Sequence, residues 1–179
     1  SAASDVYKRQ IRETALKLLE KLDPLIAAGL YQGVFRDPTK AKIIIDSVLS
    51  YNNIDLHKYA YNLRANIYIE EENYDLALKD LNKSMSMDPN FSGTYSVFST
   101  YYRRKGQNDQ AFEQADLSIK LNPNRAEGYT VKGLIYRNIQ DHGKAAEQFI
   151  LSLQKNTHYY PAYNYLTREF IKLEKFDDA

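Results

Sequence analysis

The sequence predicts an all-α protein, a solenoid of stacked helix–turn–helix units, and three observations carry that expectation. Tyr61, Tyr95, Tyr129 and Tyr163 recur every 34 residues, and seven residues after each comes a second aromatic: Tyr68, Tyr102, Tyr136 and Phe170. Nine residues further on sits an alanine, at Ala77, Ala111, Ala145 and Ala179. Asp88-Pro89 and Asn122-Pro123 close two of the units in the same phase. A repeat of this length holds two helices that cannot bury their apolar faces alone and must stack on their neighbours. The product is a curved surface for holding other molecules, not a pocket built for chemistry.

Residues 1–10 stand apart. Asp5-Val6-Tyr7-Lys8-Arg9-Gln10 reads as the translation of a transposon end used as a sequencing adapter, and Ser1-Ala2-Ala3-Ser4 precedes it without an initiator methionine. The segment is expected to be appended and is left out of functional reasoning. From Ile11 to Leu22, apolar residues at 11, 15, 16, 18, 19 and 22 predict an amphipathic helix. Asp23-Pro24 restarts a helix over Leu25 to Phe35, Asp37-Pro38-Thr39 breaks it, and Ala41 to Tyr51 completes a degenerate hairpin. Residues 11–57 are thus expected to form an N-terminal helix and a divergent capping repeat, two residues out of register with the next unit.

Three intact units are expected at 58–91, 92–125 and 126–159, with a truncated fourth at 160–179. Tyr95 and Tyr102, seven apart, share one helix face, and Ala111 and Ala115 allow close approach on the partner helix. Asp88-Pro89 and Asn122-Pro123 end second helices, because the residue before a proline avoids the helical region. Gly106 supplies the tight turn in the second unit. Of the 16 tyrosines, eight fall on signature or turn positions, so the aromatic richness is assigned mainly to core. The stop at Ala179, where a second helix should be in its first turns, fits a fragment of a longer chain.

These positions resemble the tetratricopeptide repeat family, whose register of aromatic, small residue, Tyr, Ala and Pro is met by Tyr61, Tyr68, Ala77, Pro89, Tyr95, Tyr102, Ala111, Pro123, Tyr129, Gly133, Tyr136, Ala145, Tyr163 and Phe170. The departures are Tyr for the expected tryptophan, and Arg64-Ala65, Phe98-Ser99, Lys132-Gly133 and Leu166-Thr167 for a Leu-Gly pair. Thr157 replaces a proline. Arg64 and Lys132 are expected to lay their stems on apolar surface with the charge in water. The resemblance implies a right-handed α-solenoid whose first helices line a groove for extended protein segments.

Carried onto this chain, the implied groove comprises Asn62, Ser96, Thr130 and Asn164; then Asn66, Thr100, Leu134 and Arg168; then Ile69, Arg103, Arg137 and Ile171. Asparagine can donate to and accept from a peptide backbone, and arginine offers a fork to carboxylates. With Asp109, Glu113, Asp116 and Glu147 on second helices, exposed arginines would leave the groove basic and favour an acidic or C-terminal-carboxylate peptide. The clamp of the chaperone-tail-binding subfamily is met only by Asn66; Asn62, Val97, Glu127 and Val131 stand at its other four positions.

Composition narrows the classes of function. A net charge of +1 argues against general nucleic-acid or anionic-membrane binding, and the absence of cysteine excludes disulfides and thiolate metal sites. No apolar run approaches the length of a membrane span. His57, His142 and His158 lack metal-ligand spacing and are read as surface or helix-end residues. Glu70-Glu71-Glu72 reads as a solvated turn, and Arg103-Arg104-Lys105 as cations complementing a helix C-terminus. No nucleophile elbow, phosphate loop or dinucleotide fingerprint is present. The expectation is a non-catalytic scaffold without cofactor or metal, in cytoplasm or periplasm. The alternative is a recruiting or regulatory domain of a larger enzyme or cell-envelope assembly. Leu166, Phe170, Leu173 and Phe176 on the truncated unit predict self-association.

Overall fold

The computed structural model describes residues 2–177, with side chains from 5 to 174. Ala179, the last of the alanine series, and the side chain of Phe176 lie outside the described residues. Among those residues the chain is a succession of α-helices joined by short turns, the all-α helical repeat that the 34-residue period predicts. It divides into two compact units, Ser1–Ser84 and Met85–Ala179.

The first unit holds α1 (Ala2–Leu22), α2 (Pro24–Gly33), α3 (Pro38–Ser50), a 3-10 turn (Ile54–Leu56), α4 (His57–Glu70) and most of α5 (Tyr74–Met87). Helix α1 begins nine residues before the expected Ile11, running unbroken through residues 5–10, which are exposed. Asp23 and Asp37 explain the next two breaks. Each accepts from a backbone N–H three residues on, Asp23 from Ile26 at 3.1 Å and Asp37 from Lys40 at 2.9 Å, with proline at the first helical position. The core gathers Ala27, Ala28, Tyr31, Ala41, Ile44, Ile45, Val48, Ala60 and Ile67.

Two polar clusters bind these helices. Tyr31 donates to Glu20 at 2.7 Å and accepts from Lys40 at 2.6 Å, linking α1, α2 and α3. Arg64, expected to keep its charge in water, instead forks onto Asp80 of α5 at 2.7 and 2.8 Å and also bonds Asp46 of α3. A planar bidentate donor satisfies both oxygens of the buried carboxylate at once, which draws the guanidinium in. In the second unit, Lys132 donates to the exposed Asp116 at 2.6 Å, its charge at the surface.

That unit holds α6 (Ser92–Arg104), α7 (Asn108–Leu121), α8 (Ala126–Asn138), α9 (His142–Lys155) and α10 (Tyr160–Asp177). Helix α8 packs against α6, α7 and α9, and α10 packs on α9. Ala111, Ala115, Val131 and Ile135 form one apolar cluster; Leu134, Ala145 and Phe149 form another. Gly133 is small for a reason: a Cβ there would sit 2.6 Å from the ring of Phe149, which is fully buried.

The repeat is also polar. Ser84, Ser118 and Ser152 are buried at 34-residue spacing, and each donates to the carbonyl that opens its own repeat: Lys58 at 3.0 Å, Ser92 at 2.9 Å and Ala126 at 3.0 Å. Asp88, Asn122 and Asn156 each accept from the N–H two residues on, so the turn survives Thr157 in place of proline. The hydroxyls of Tyr95 and Tyr129 donate to the Pro89 and Pro123 carbonyls at 2.6 and 3.1 Å, a bond the phenol supplies and a plain hydrocarbon ring would not. Glu72, Gly106 and Gln140 adopt positive φ (59°, 74° and 64°) in the α4–α5, α6–α7 and α8–α9 turns. The residue after each returns its N–H to Tyr68, Tyr102 or Tyr136, closing the helix end.

Candidate functional site

The residues expected to line a groove fall into two groups, one in each unit. On α4, Asn62 is buried and Asn66 half-buried. In the second unit, Ser96 donates to its own helix at Gly93 (2.8 Å) and Thr100 to Ser96 (3.1 Å), so their hydroxyls are already engaged. Thr130 is buried against α9, with its hydroxyl 2.7 Å from that of Ser152. The single Ser152 proton goes to Ala126, so Thr130 is the donor of that pair and serves helix packing. Asn164 and Arg168 on α10 are exposed.

Arg103 and Arg137, one repeat apart in the last turns of α6 and α8, behave differently from the rest. Arg103 was expected to be exposed and is not: only 9% of its surface is accessible. It occupies the rung where α4 buries Ile69. Its Nε is closed to solvent and has no hydrogen-bond partner. Among the described residues, no carboxylate pairs with it. Burial first, and then the like charges of Arg104 and Arg137, push the guanidinium down to about 10. It is still a cation at neutral pH, held in a place that disfavours cations.

Arg137 lies beside a second buried charge. Its Nε stands 4.0 Å from Oε1 of Glu169, and its guanidinium lies 5.0 Å from the Tyr165 ring centroid. Tyr165 in turn stacks on Phe149 at 5.4 Å. Glu169 is completely buried; its Oε2 is 2.6 Å from Nδ1 of His142, the first residue of α9, while its Oε1 makes no hydrogen bond. Arg103, Arg137, His142, Tyr165 and Glu169 therefore form one electrostatic cluster drawn from α6, α8, α9 and α10, since Arg103 also feels Arg137 and Tyr165.

Sequence reasoning missed two members of this cluster. His142 is at a helix end, as expected, but is buried rather than on the surface. Glu169 was not singled out, although the register marks it: the same position one, two and three repeats earlier is Ile135, Tyr101 and Ile67, all buried. A carboxylate in a rung of core residues was the available signal. Chemically, the cluster offers guanidinium donors to an oxyanion. Among the described residues, no three His, Asp or Glu side chains converge on a metal position, and no helix is long and apolar enough to cross a membrane.

Comparison with known proteins agrees with this architecture. Residues 59–91 match the tetratricopeptide repeat family. The thermophilic tetratricopeptide protein TTC0263 of Thermus thermophilus superposes with a TM-score of 0.69 at 18% identity, over 87% of this chain and 84% of that one. The first such domain of human RPAP3 gives 0.57 at 19% identity, over 69% and 98%. The first such domain of Spaghetti (RPAP3), solved bound to the HSP90 peptide SRMEEVD, gives 0.53 at 20% identity, over 65% and 93%. None of the curated proteins matches the sequence. The chain carries a tetratricopeptide repeat at 59–91 and has the all-α helical-repeat fold of the tetratricopeptide repeat proteins.

Proposed function

We propose that this chain is a non-catalytic protein-interaction scaffold that holds an acidic protein segment against the first helices of the repeats in its second unit, with Arg103 as the anchor. The observation that supports the reading is the state of Arg103: a buried guanidinium with an unsatisfied Nε and, among the described residues, no carboxylate partner. An unpaired buried cation destabilises a fold, so a partner carboxylate has much to gain there. A structural neighbour binds an acidic peptide, which gives the reading a precedent on the same fold. The chaperone-tail clamp is nonetheless met here only by Asn66, so the proposal concerns acidic segments in general. Arg168, exposed on α10 of the same unit, is its secondary contact.

The decisive variant is Arg103→Met, which keeps the apolar stem and removes the charge. Thermal unfolding should show the variant at least as stable as the wild type, because a costly buried charge is gone. A peptide-library pull-down should show its preference for acidic segments lost, with Arg103→Glu/Arg137→Glu losing it as well. Wild-type binding should weaken as added salt shortens the screening length. Identical peptide selection by wild type and both variants would overturn the reading.

A further inference from the structure

We propose that Glu169 is a built-in competitor for the ligand: a ligand carboxylate arriving at Arg103 takes over Arg137, and Glu169 passes wholly to His142. The inference rests on the proposed role of the arginine pair and adds to it how the site is regulated.

Glu169 is hard to explain as packing. It fills a rung that holds Ile67, Tyr101 and Ile135 in the other repeats, where an apolar side chain would bury without cost. Its two oxygens are divided between two partners. Oε2 is hydrogen-bonded to His142 at 2.6 Å, whereas Oε1 faces Arg137 at 4.0 Å, within Coulomb reach and beyond hydrogen-bond length. Arg137 is correspondingly half committed, lying over Tyr165 and not forking onto the carboxylate. Arg103 has no carboxylate partner among the described residues. The cluster thus holds two guanidinium cations and one carboxylate, with an imidazole able to supply a further positive charge.

A ligand carboxylate at Arg103 attracts Arg137 away from Glu169. Glu169 then keeps one partner, and that partner binds it best as imidazolium, with Nδ1–H donating to Oε2. Ligand binding therefore favours a proton on His142, and by reciprocity a proton on His142 favours ligand binding. The sign follows: affinity is higher with His142 protonated and lower with it neutral. The groups that set this balance are Glu169 and Tyr165 on α10, Arg137 on α8, Arg103 and Arg104 on α6, and Asp141 and Lys144 beside His142 on α9.

The test uses a hexapeptide of Asp and Glu with a free C-terminus, its Asn/Gln counterpart as control, and calorimetric titration at about pH 6 and about pH 8. Glu169→Gln, which can still accept from His142, should bind the acidic peptide about fivefold tighter or more and lose most of the pH dependence. In the wild type, the imidazole resonance of His142, assigned with His142→Gln, should move toward its protonated position at a fixed pH once peptide is added; this reading does not depend on Glu169→Gln folding. Unchanged or weaker binding by Glu169→Gln, with no movement of the His142 resonance on adding peptide, would sink the competitor while leaving the role of Arg103 intact. Absence of acidic-peptide binding by both proteins at both pH values would instead remove the proposed function, and this inference with it.

Discussion

The hydroxyl of Ser118 donates to the carbonyl of Ser92 at 2.9 Å, and both residues are buried. One bond thereby ties the second helix of a repeat to the residue that opens its first. The Ser84–Lys58 and Ser152–Ala126 pairs repeat it at the same spacing. Replacing Ser118 by alanine removes the side-chain donor from the Ser92 carbonyl, the first of α6, and leaves it only the helical position. Ser118→Ala should cost about 1 kcal/mol in urea unfolding, the net scale of one hydrogen bond. A loss within about 0.5 kcal/mol, typical of surface changes, would mean that water substitutes freely for the hydroxyl.

The interhelical turns predict opposite signs for two small substitutions. Gln140 is held at a positive φ of 64° that glycine adopts freely, so Gln140→Gly should stabilise by up to about 1 kcal/mol. At Gly106 (φ 74°) an added Cβ meets nothing within 4 Å, so Gly106→Ala should lose about 1 kcal/mol through backbone strain alone. Paired thermal melts that moved in the same direction would contradict the turn geometry.

Gly133→Ala should be worse than its one methyl suggests. The new Cβ would lie 2.6 Å from the Phe149 ring, which is wholly buried and has nowhere to swing. Over-packing of this kind costs about 1–3 kcal/mol. Shortening the obstacle, as in Gly133→Ala/Phe149→Leu, should recover part of the loss in a double-mutant cycle. Gly29→Ala provides the contrast. It lies inside α2 with open space around it, and should gain up to about 1 kcal/mol.

Acid should loosen the junction of α1, α2 and α3. Hydrogen bonds from Tyr31 and then Lys40 hold the Glu20 carboxyl below its ordinary 4.5. Its contribution is therefore fully present above that value and is lost as pH falls through the lowered folded-state value. Lys40, raised above 10.5 by Tyr31 and Glu20, contributes below that value and loses its part as pH rises through the higher one. Glu20→Gln should flatten the acid side of a plot of unfolding midpoint against pH. Because Glu20 and Lys40 are only half-buried, water screens the pair, so the effect should be small and should shrink with salt.

Self-association should localise to α10. Tyr163, Phe170 and Ile171 are 46%, 46% and 49% exposed, three large apolar side chains on one helix. Light scattering should show mass rising with concentration, and Phe170→Glu should restore a monomer. A monomer at all concentrations in the unaltered chain would count against it.

The architecture was legible because it depends on a few residue types recurring in phase. Aromatics at 95 and 102 or alanines at 111 and 115 show one helix face each, whatever surrounds them. The serine ties and the Asx turns recur just as regularly, at 84, 118 and 152 and at 88, 122 and 156, but a pattern search keyed to apolar residues passes over buried polar ones. Arg103 was illegible for another reason: an arginine in a last helical turn looks solvated until the neighbouring helices are in place. Glu169 falls between these cases. Its chemistry became visible once each position was compared with its counterpart a repeat away.

The serine ties have a mechanical consequence. Each spans only 26 residues, and the His142–Glu169 and Lys42–Glu71 contacts reach 27 and 29, so these bonds close loops of less than one repeat. Short loops form quickly, which favours rapid folding. They also mean that a hairpin can let go without first undoing bonds to distant parts of the chain. Under tension such a molecule should yield in steps, each freed repeat releasing about 110 Å of extended chain, and a force–extension trace would read those steps directly.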